Sequence, residues 1–313
     1  MKRLDGGSTV PAAMRAGIVA LGNFDGFHLG HQAVVGLAVA RARAEGRPAL
    51  VATFDPHPVR HFQPDNAPFR LTTLDQRERL FAAAGADAMV VFQFDAALAA
   101  LTAREFVTDR LIDKLGVGGV VTGADFTFGK AKSGNVAVLA TLGIEHGFAV
   151  ETVGAVTLDG VAVSSSRIRD LLKAGDPRGA AKLLTRPFTV AGTVQHGDKL
   201  GRTIGYPTAN LDMGKYLRPA YGIYAVTARL PDGRQVQGAA NLGIRPTFDP
   251  PKELLEPYFF DFSGDLYGQT IEVALIDYIR PEAKFDSLDA LTAQMEADCA
   301  EARARLSAGA RAL

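Results

Sequence analysis

The sequence predicts an α/β fold followed by a β-rich one, and three observations carry that expectation. From residue 17 to about 154, short apolar runs alternate with helical stretches, which is the grammar of a parallel sheet covered by helices. Around Arg186-Pro187-Phe188 the alternation stops, and β-rich runs separated by turn residues take over. A last amphipathic stretch, about 287–308, reads as a closing helix.

In chain order, the first half offers strands at Gly17 to Leu21, Ala49 to Phe54, Ala88 to Phe92, Gly119 to Gly123 and Phe148 to Val153. Helices are expected between them, near 29–46, 73–85, 102–115 and 134–147. Thr102 followed by Glu105 is a capping box that starts the third of these. The second half offers strands at Phe188 to Gln195, Gly222 to Leu230, Gln235 to Leu242, Tyr258 to Phe262 and Thr270 to Tyr278. Pro231-Asp232-Gly233 and Phe262-Ser263-Gly264-Asp265 supply turns. A chain of 313 residues suits two domains, here 1–186 and 187–313.

Composition narrows the partners. Thirty-four basic residues balance 34 acidic ones, so nothing points to a polyanion such as nucleic acid, and local arginines must do any phosphate work. Cys299, the single cysteine, cannot form an internal disulfide and sits in the closing helix, where a half-buried structural thiol is expected. Met1 to Ala16 has no apolar signal region, and no run approaches the roughly 20 residues that span a bilayer. The expectation is a cytoplasmic protein working on small molecules, with no nucleic acid or membrane partner and with self-association compatible with the sequence.

Gly22-Asn23-Phe24-Asp25-Gly26-Phe27-His28-Leu29-Gly30-His31 follows the first apolar run and opens an Ala-rich helical segment. Strand, glycine-rich turn and helix start form an arrangement that holds a nucleotide phosphate, because unpaired N–H groups and the helix dipole favour an anion there. Residues three apart share a helix face, so His28 and His31 are expected to point together at that anion. Two other readings compete: ordinary surface histidines, and a metal site drawing on His57 and His61. Pro58 and the lack of a nearby cysteine weigh against the metal site. No Gly-x-Gly-x-x-Gly follows the first strand, and Gly123 to Ala131 has the wrong length and ending for a phosphate-binding Walker loop.

The Gly22–His31 segment resembles the His-x-Gly-His signature of nucleotidyltransferases, and Val163-Ser164-Ser165-Ser166-Arg167-Ile168-Arg169 is similar to the Ser-Ser-Thr-x-Ile-Arg motif downstream in that superfamily. Thr53-Phe54-Asp55-Pro56-His57-Pro58, Gly123–Gly129 and Gly201–Asn210 resemble further blocks of the bacterial bifunctional riboflavin kinase/FAD synthetase family. The likeness runs from about residue 17 to 305.

That resemblance implies a Rossmann-like nucleotidyltransferase domain followed by an antiparallel β-barrel kinase domain with a C-terminal helix. It implies ATP as co-substrate, Mg²⁺, and riboflavin, FMN and FAD as substrates and products. For adenylyl transfer it points to His28, His31 and Arg169 as catalytic groups. Gly22, Asn23, Phe24, Asp25, Gly30, Ser164 and Ser165 would surround the phosphates, and Asp125 and Phe126 the nucleotide or flavin. For the kinase it points to Gly201, Arg202, Gly205 and Pro207 around ATP, Thr208 and Asn210 on the metal, and Glu256 as base. The chain departs from the family pattern at Tyr258, which replaces a common histidine, at Pro257, and at Ile244, which replaces a frequent threonine. Asp261 is a second candidate base. A chain with one live module, or a flavin-binding regulator without catalysis, remain alternatives at this point.

Overall fold

Strands buried on both faces by helices need no polar residue, so they read as continuous apolar runs. The first half follows that rule: β1 (Lys2–Asp5), β2 (Ile18–Leu21), α1 (Leu29–Glu45), β3 (Ala49–Asp55), α2 (Pro58–Phe62), α3 (Leu74–Ala83), β4 (Ala88–Gln93), α4 (Ala96–Ala100), α5 (Ala103–Glu105, continuing π-helical through Phe106–Leu115), β5 (Gly119–Gly123), the short β6 (Thr127–Phe128) and β7 (Gly134–Asn135), α6 (Val136–His146) and β8 (Ala149–Val153). Five strands add to one edge strand in a parallel sheet of order β1-β4-β3-β2-β5-β8. Alternate residues feed two cores. Val19, Leu21, Leu50, Val90 and Val120 join Phe106 and Leu111 on one face, while Ile18, Ala20, Val51, Met89 and Val121 join Val35, Ala38 and Phe81 on the other. β1 was not expected from the sequence: its Lys-Arg-Leu-Asp has no apolar run, since an edge strand has less to bury.

The hairpin β9 (Thr157–Leu158) and β10 (Val161–Ala162) leads to α7 (Ser165–Lys173) and α8 (Pro177–Leu184). Then come β11 (Phe188–Thr193), β12 (Leu211–Asp212), β13 (Gly222–Arg229), β14 (Gln235–Arg245), β15 (Lys252–Phe259), β16 (Thr270–Arg280) and α9 (Leu288–Gly309). β11 to β16 form one antiparallel sheet of order β11-β16-β13-β14-β15-β12, and a bridge between Gln195 and Asn210 ties its two ends into a nearly closed barrel. β15 begins at Lys252, earlier than the expected strand over 258–262, and Asp261 lies beyond its end. Its Leu254, Leu255, Pro257 and Phe259 are buried, so the strand's apolar content starts before the aromatic cluster that marks it in the sequence.

The computed structural model describes residues 1–196, 205–245 and 252–309. The described chain divides into two compact units, Met1–Ala67 with Thr72–Ser165, and Pro68–Leu71 with the described residues from Ser166 onward. The short segment belongs to the second unit because Arg70 bridges Tyr216, its N–H donating to the Lys215 carbonyl and its carbonyl accepting from Leu217. α7 and α8 also belong there: the Ala220 N–H donates to the Leu172 carbonyl, and Arg178 pairs with Asp277 of β16 at 2.7 Å.

Candidate active sites

In the first unit β3 and β4 lie to one side of β2 while β5 and β8 lie to the other, so the strand order reverses between β2 and β5. Open α/β sheets bind ligands in the crevice outside the carboxyl ends of the strands at such a point. Here Leu21 of β2 leads into Gly22–His31, and Gly123 of β5 leads into the loop of Asp125 and Phe126. The Thr122 hydroxyl donates to the Leu21 carbonyl at 2.9 Å, fixing the two strand ends against each other. Asp125 is exposed, and Phe126 stacks on Phe128 with ring centroids 5.7 Å apart.

His28 caps α1. The His31 N–H donates to His28 Nδ1 at 3.4 Å, so the proton of a neutral His28 ring belongs on Nε2, a donor for a phosphate oxygen. The two imidazoles stack at 3.6 Å, and Gly30 between them keeps the approach open, because a Cβ there would press on the His28 ring at 3.2 Å. Phe24 lies buried edge-on to His31 and to Phe81, which leaves its backbone, with that of Gly22 and Asn23, as what it can offer a nucleotide.

Asp25 is buried, and its carboxylate accepts from the Thr72 N–H at 3.0 Å and from the Thr72 hydroxyl at 3.2 Å. The Gly26 N–H donates back to that hydroxyl at 2.9 Å. Ser165, at the start of α7, donates its hydroxyl to the Asp25 carbonyl at 2.8 Å. The two nucleotidyltransferase motifs, 140 residues apart, are thus hydrogen-bonded to each other. Ser164 precedes the helix and is half-buried. Arg169, one turn further along α7, donates from Nε to the Phe69 carbonyl at 2.8 Å and lies over the Phe69 ring.

In the second unit Pro207 and Gly205 are exposed, while Gly201 and Arg202 lie outside the described residues. The chain then enters the barrel: the Ala209 N–H donates to the Pro257 carbonyl at 2.9 Å, and Leu211 pairs with Leu255. Continuing that register puts Asn210 beside Glu256, and Asn241 of β14 is the partner of Glu256 on the other side. Thr208, Glu256 and Asn241 line one cavity of about 310 Å³, walled by Tyr206 and Tyr258 and by Leu291, Met295 and Cys299 of α9. Asn210 is 6% exposed. Burial pushes the Cys299 thiol up to about 11 and raises Tyr206 above the ordinary phenol value.

Residues 10–167 match the FAD synthetase family and residues 184–306 the riboflavin kinase family. Curated bifunctional riboflavin kinase/FMN adenylyltransferases resemble the chain along almost its whole length: that of Escherichia coli K12 is 38% identical over 97% of both chains, and that of Haemophilus influenzae 40% identical over 91% of this chain and 93% of its own. This chain belongs to the bifunctional riboflavin kinase/FMN adenylyltransferase family. A solved structure described as a macrolide-efflux protein from Streptococcus pneumoniae shares the fold, with TM-score 0.84 and 32% identity over 95% of this chain and 97% of that one. Among the described residues no helix is long and apolar enough to cross a membrane.

For a member of this family the departures fall in instructive places. Tyr258 meets Tyr206 edge-on at 5.0 Å and forms part of the cavity wall, whereas Ile244 is 45% exposed. Asp261 pairs with Arg303 at 2.9 Å on the surface, and that guanidinium holds its carboxyl below the usual carboxylate range. Several residues around the sites carry no motif signal. Buried Arg77 donates to the Asn23 carbonyl at 3.1 Å and to the Thr53 hydroxyl at 2.8 Å, bracing the Gly22–His31 turn. Arg280 and Asp298 form a two-point ion pair at 2.8 and 2.6 Å in the cavity wall. Only the α9 periodicity hinted at that wall.

Proposed function

We propose that two residue sets carry the two reactions of this enzyme. The chain phosphorylates riboflavin with ATP to FMN, and it adenylylates FMN with a second ATP to FAD and pyrophosphate. For adenylyl transfer, His28 and His31 at the head of α1 donate to the α-phosphate as charge develops there, and Ser164, Ser165 and Arg169 bind the departing pyrophosphate. Asn23, Asp25 and Gly30 shape the turn, with Asp125 and Phe126 beside the nucleotide or flavin. This division follows the chemistry of the motifs and places the catalytic boundary near Arg186-Pro187.

For the kinase, Glu256 takes the proton from the 5′-hydroxyl of riboflavin while Thr208 and Asn210 bring oxygen ligands to Mg²⁺. The residues fit that ion: the Thr208 hydroxyl and the side-chain oxygen of the largely buried Asn210 are hard oxygen donors on one short stretch of chain entering β12, with the Glu256 carboxylate in register beside Asn210. Mg²⁺, when bound, neutralises charge on the β- and γ-phosphates. Gly201, Arg202, Gly205 and Pro207 are assigned to the phosphates by their motif. The observation that carries the kinase reading is the cavity Thr208 and Glu256 share.

The test is product analysis with riboflavin, ATP and Mg²⁺. The unaltered protein is expected to form FMN and then FAD. His31→Ala should form FMN at the normal rate and lose FAD formation by about 10²–10³-fold, the usual effect of removing one transition-state donor. Equal loss of both products from a folded variant would contradict the two-site assignment.

A further inference from the structure

Asn241 stands in the wall of the kinase cavity and belongs to none of the residue sets above. On β14 it faces Glu256 of β15 on one side and Ile223 of β13 on the other, and all three line the cavity. Its amide is held one way round. Nδ2 donates to Glu282 Oε1 at 3.2 Å, and because a carboxylate only accepts, the amide nitrogen must face Glu282 and the oxygen must face elsewhere. Gly243 makes that seat possible: a Cβ there would lie 2.0 Å from Glu282 Oε1. Asn241 Oδ1 is buried and has no hydrogen-bond partner among the described residues, a costly state for an acceptor unless a ligand completes it.

We propose that Asn241 is a riboflavin-binding residue of the kinase reaction, its Oδ1 accepting a hydrogen bond from a hydroxyl of the ribityl chain. The orphaned atom is an acceptor, so its partner must bring an O–H or N–H. Glu256, the residue next to it in the same cross-strand row, acts at the terminal hydroxyl of that chain. Neighbouring strands lie about 4.8 Å apart, a separation that a polyol covers in two to three carbons. Ala239, Ala240, Phe285, Leu291 and Met295 give the cavity the apolar lining that suits the flavin ring instead. A buried acceptor aimed at a hydroxyl also discriminates, because a ligand without that hydroxyl leaves it unpaired.

This rests on the assignment of the kinase reaction to this cavity, and the experiment separates the two. Steady-state kinase kinetics are measured for the full-length protein, Asn241→Ala and Asn241→Val, the last being β-branched and suited to a strand. Lumiflavin, which has the ring but no ribityl chain, serves as competing ligand. Both variants should raise KM for riboflavin about tenfold, keep kcat within about threefold, and leave the Ki of lumiflavin unchanged. The near-normal kinase kcat itself, together with an unchanged far-UV circular dichroism spectrum, reports that the barrel carrying the substitution is folded. An unchanged KM, or lumiflavin weakened as much as riboflavin, would overturn the proposal. Failure of the unaltered protein to form any FMN would overturn the kinase assignment and this proposal with it.

Discussion

Asn210 and Glu256 are neighbours in one row of the barrel, yet their proposed roles call for different failures. Asn210→Ala should weaken nucleotide binding and recover in part with excess Mg²⁺. Glu256→Gln keeps the shape and loses the base, so kcat should fall by about 10²–10⁴-fold with nucleotide affinity little changed. A Mg²⁺ titration of both variants decides between these patterns; a near-normal kcat in Glu256→Gln would move the base elsewhere. Cys299 gives a pH-dependent readout. Its thiol is raised from 9.0 to about 11, so at pH 8 the folded state holds about a hundredfold less thiolate than the unfolded chain. Alkylation of the native protein should be slower by about that factor. The linked stability is fully present below pH 9 and declines as pH rises toward 11, because the unfolded state ionises first. Alkylation as fast in the native as in the unfolded protein would contradict the burial. Residues at this scale were legible where chemistry demands a rare pattern, as with His28 and His31. Arg77, Asn241 and Glu282 were not, since each matters through partners 24 to 54 residues away that no local pattern announces.

The elements were easier to read than their edges. β2 is apolar throughout and β3 is apolar but for Thr53 and its last residue Asp55, because helices cover both faces, and such runs are visible in any window. β1 and β12 were invisible: a four-residue edge strand and a two-residue strand owe their existence to partners, not to propensity. α9 shows how far periodicity reaches. Leu291, Met295, Cys299, Ala302 and Leu306 recur at helical spacing; the first three line the cavity, and Ala302 and Leu306 pack with Ala225, Ala239 and Phe260. The polar member of that face is Asp298, 5% exposed and bonded by Arg280 and by Gln294 at 3.0 Å. Removing one partner of a buried pair is costly, so Asp298→Ala should destabilise the second unit by about 2–3 kcal/mol, somewhat under the fully buried case because Arg280 is partly exposed. Urea unfolding checks it, with KM for riboflavin expected to rise in parallel. A variant as stable as the parent would show that α9 is held by its apolar stripe alone.

At the scale of the whole molecule, the two-part organisation was legible in the change from alternating to β-rich segments, whereas the packing of the connecting helices was not. α8 buries Pro177, Ala180, Leu183 and Leu184, and Arg178 reaches Asp277. A fragment of residues 187–313 holds every kinase motif but lacks that cover. It is expected to make FMN and no FAD, and to melt at least about 5 °C below a 166–313 fragment, the shift that roughly 1 kcal/mol produces in a domain of this size. Calorimetry and product analysis of both fragments test this; FAD from either would misplace the adenylyl site. The barrel seam carries a consequence of its own. The Gln195 N–H fastens to the Asn210 carbonyl at 2.8 Å, while the proposed metal ligand is the Asn210 side chain. Latch and ligand occupy one residue but use different atoms. Mutational drift at position 210 can therefore silence the chemistry and leave the barrel shut, so a chain that has lost its kinase need not look broken.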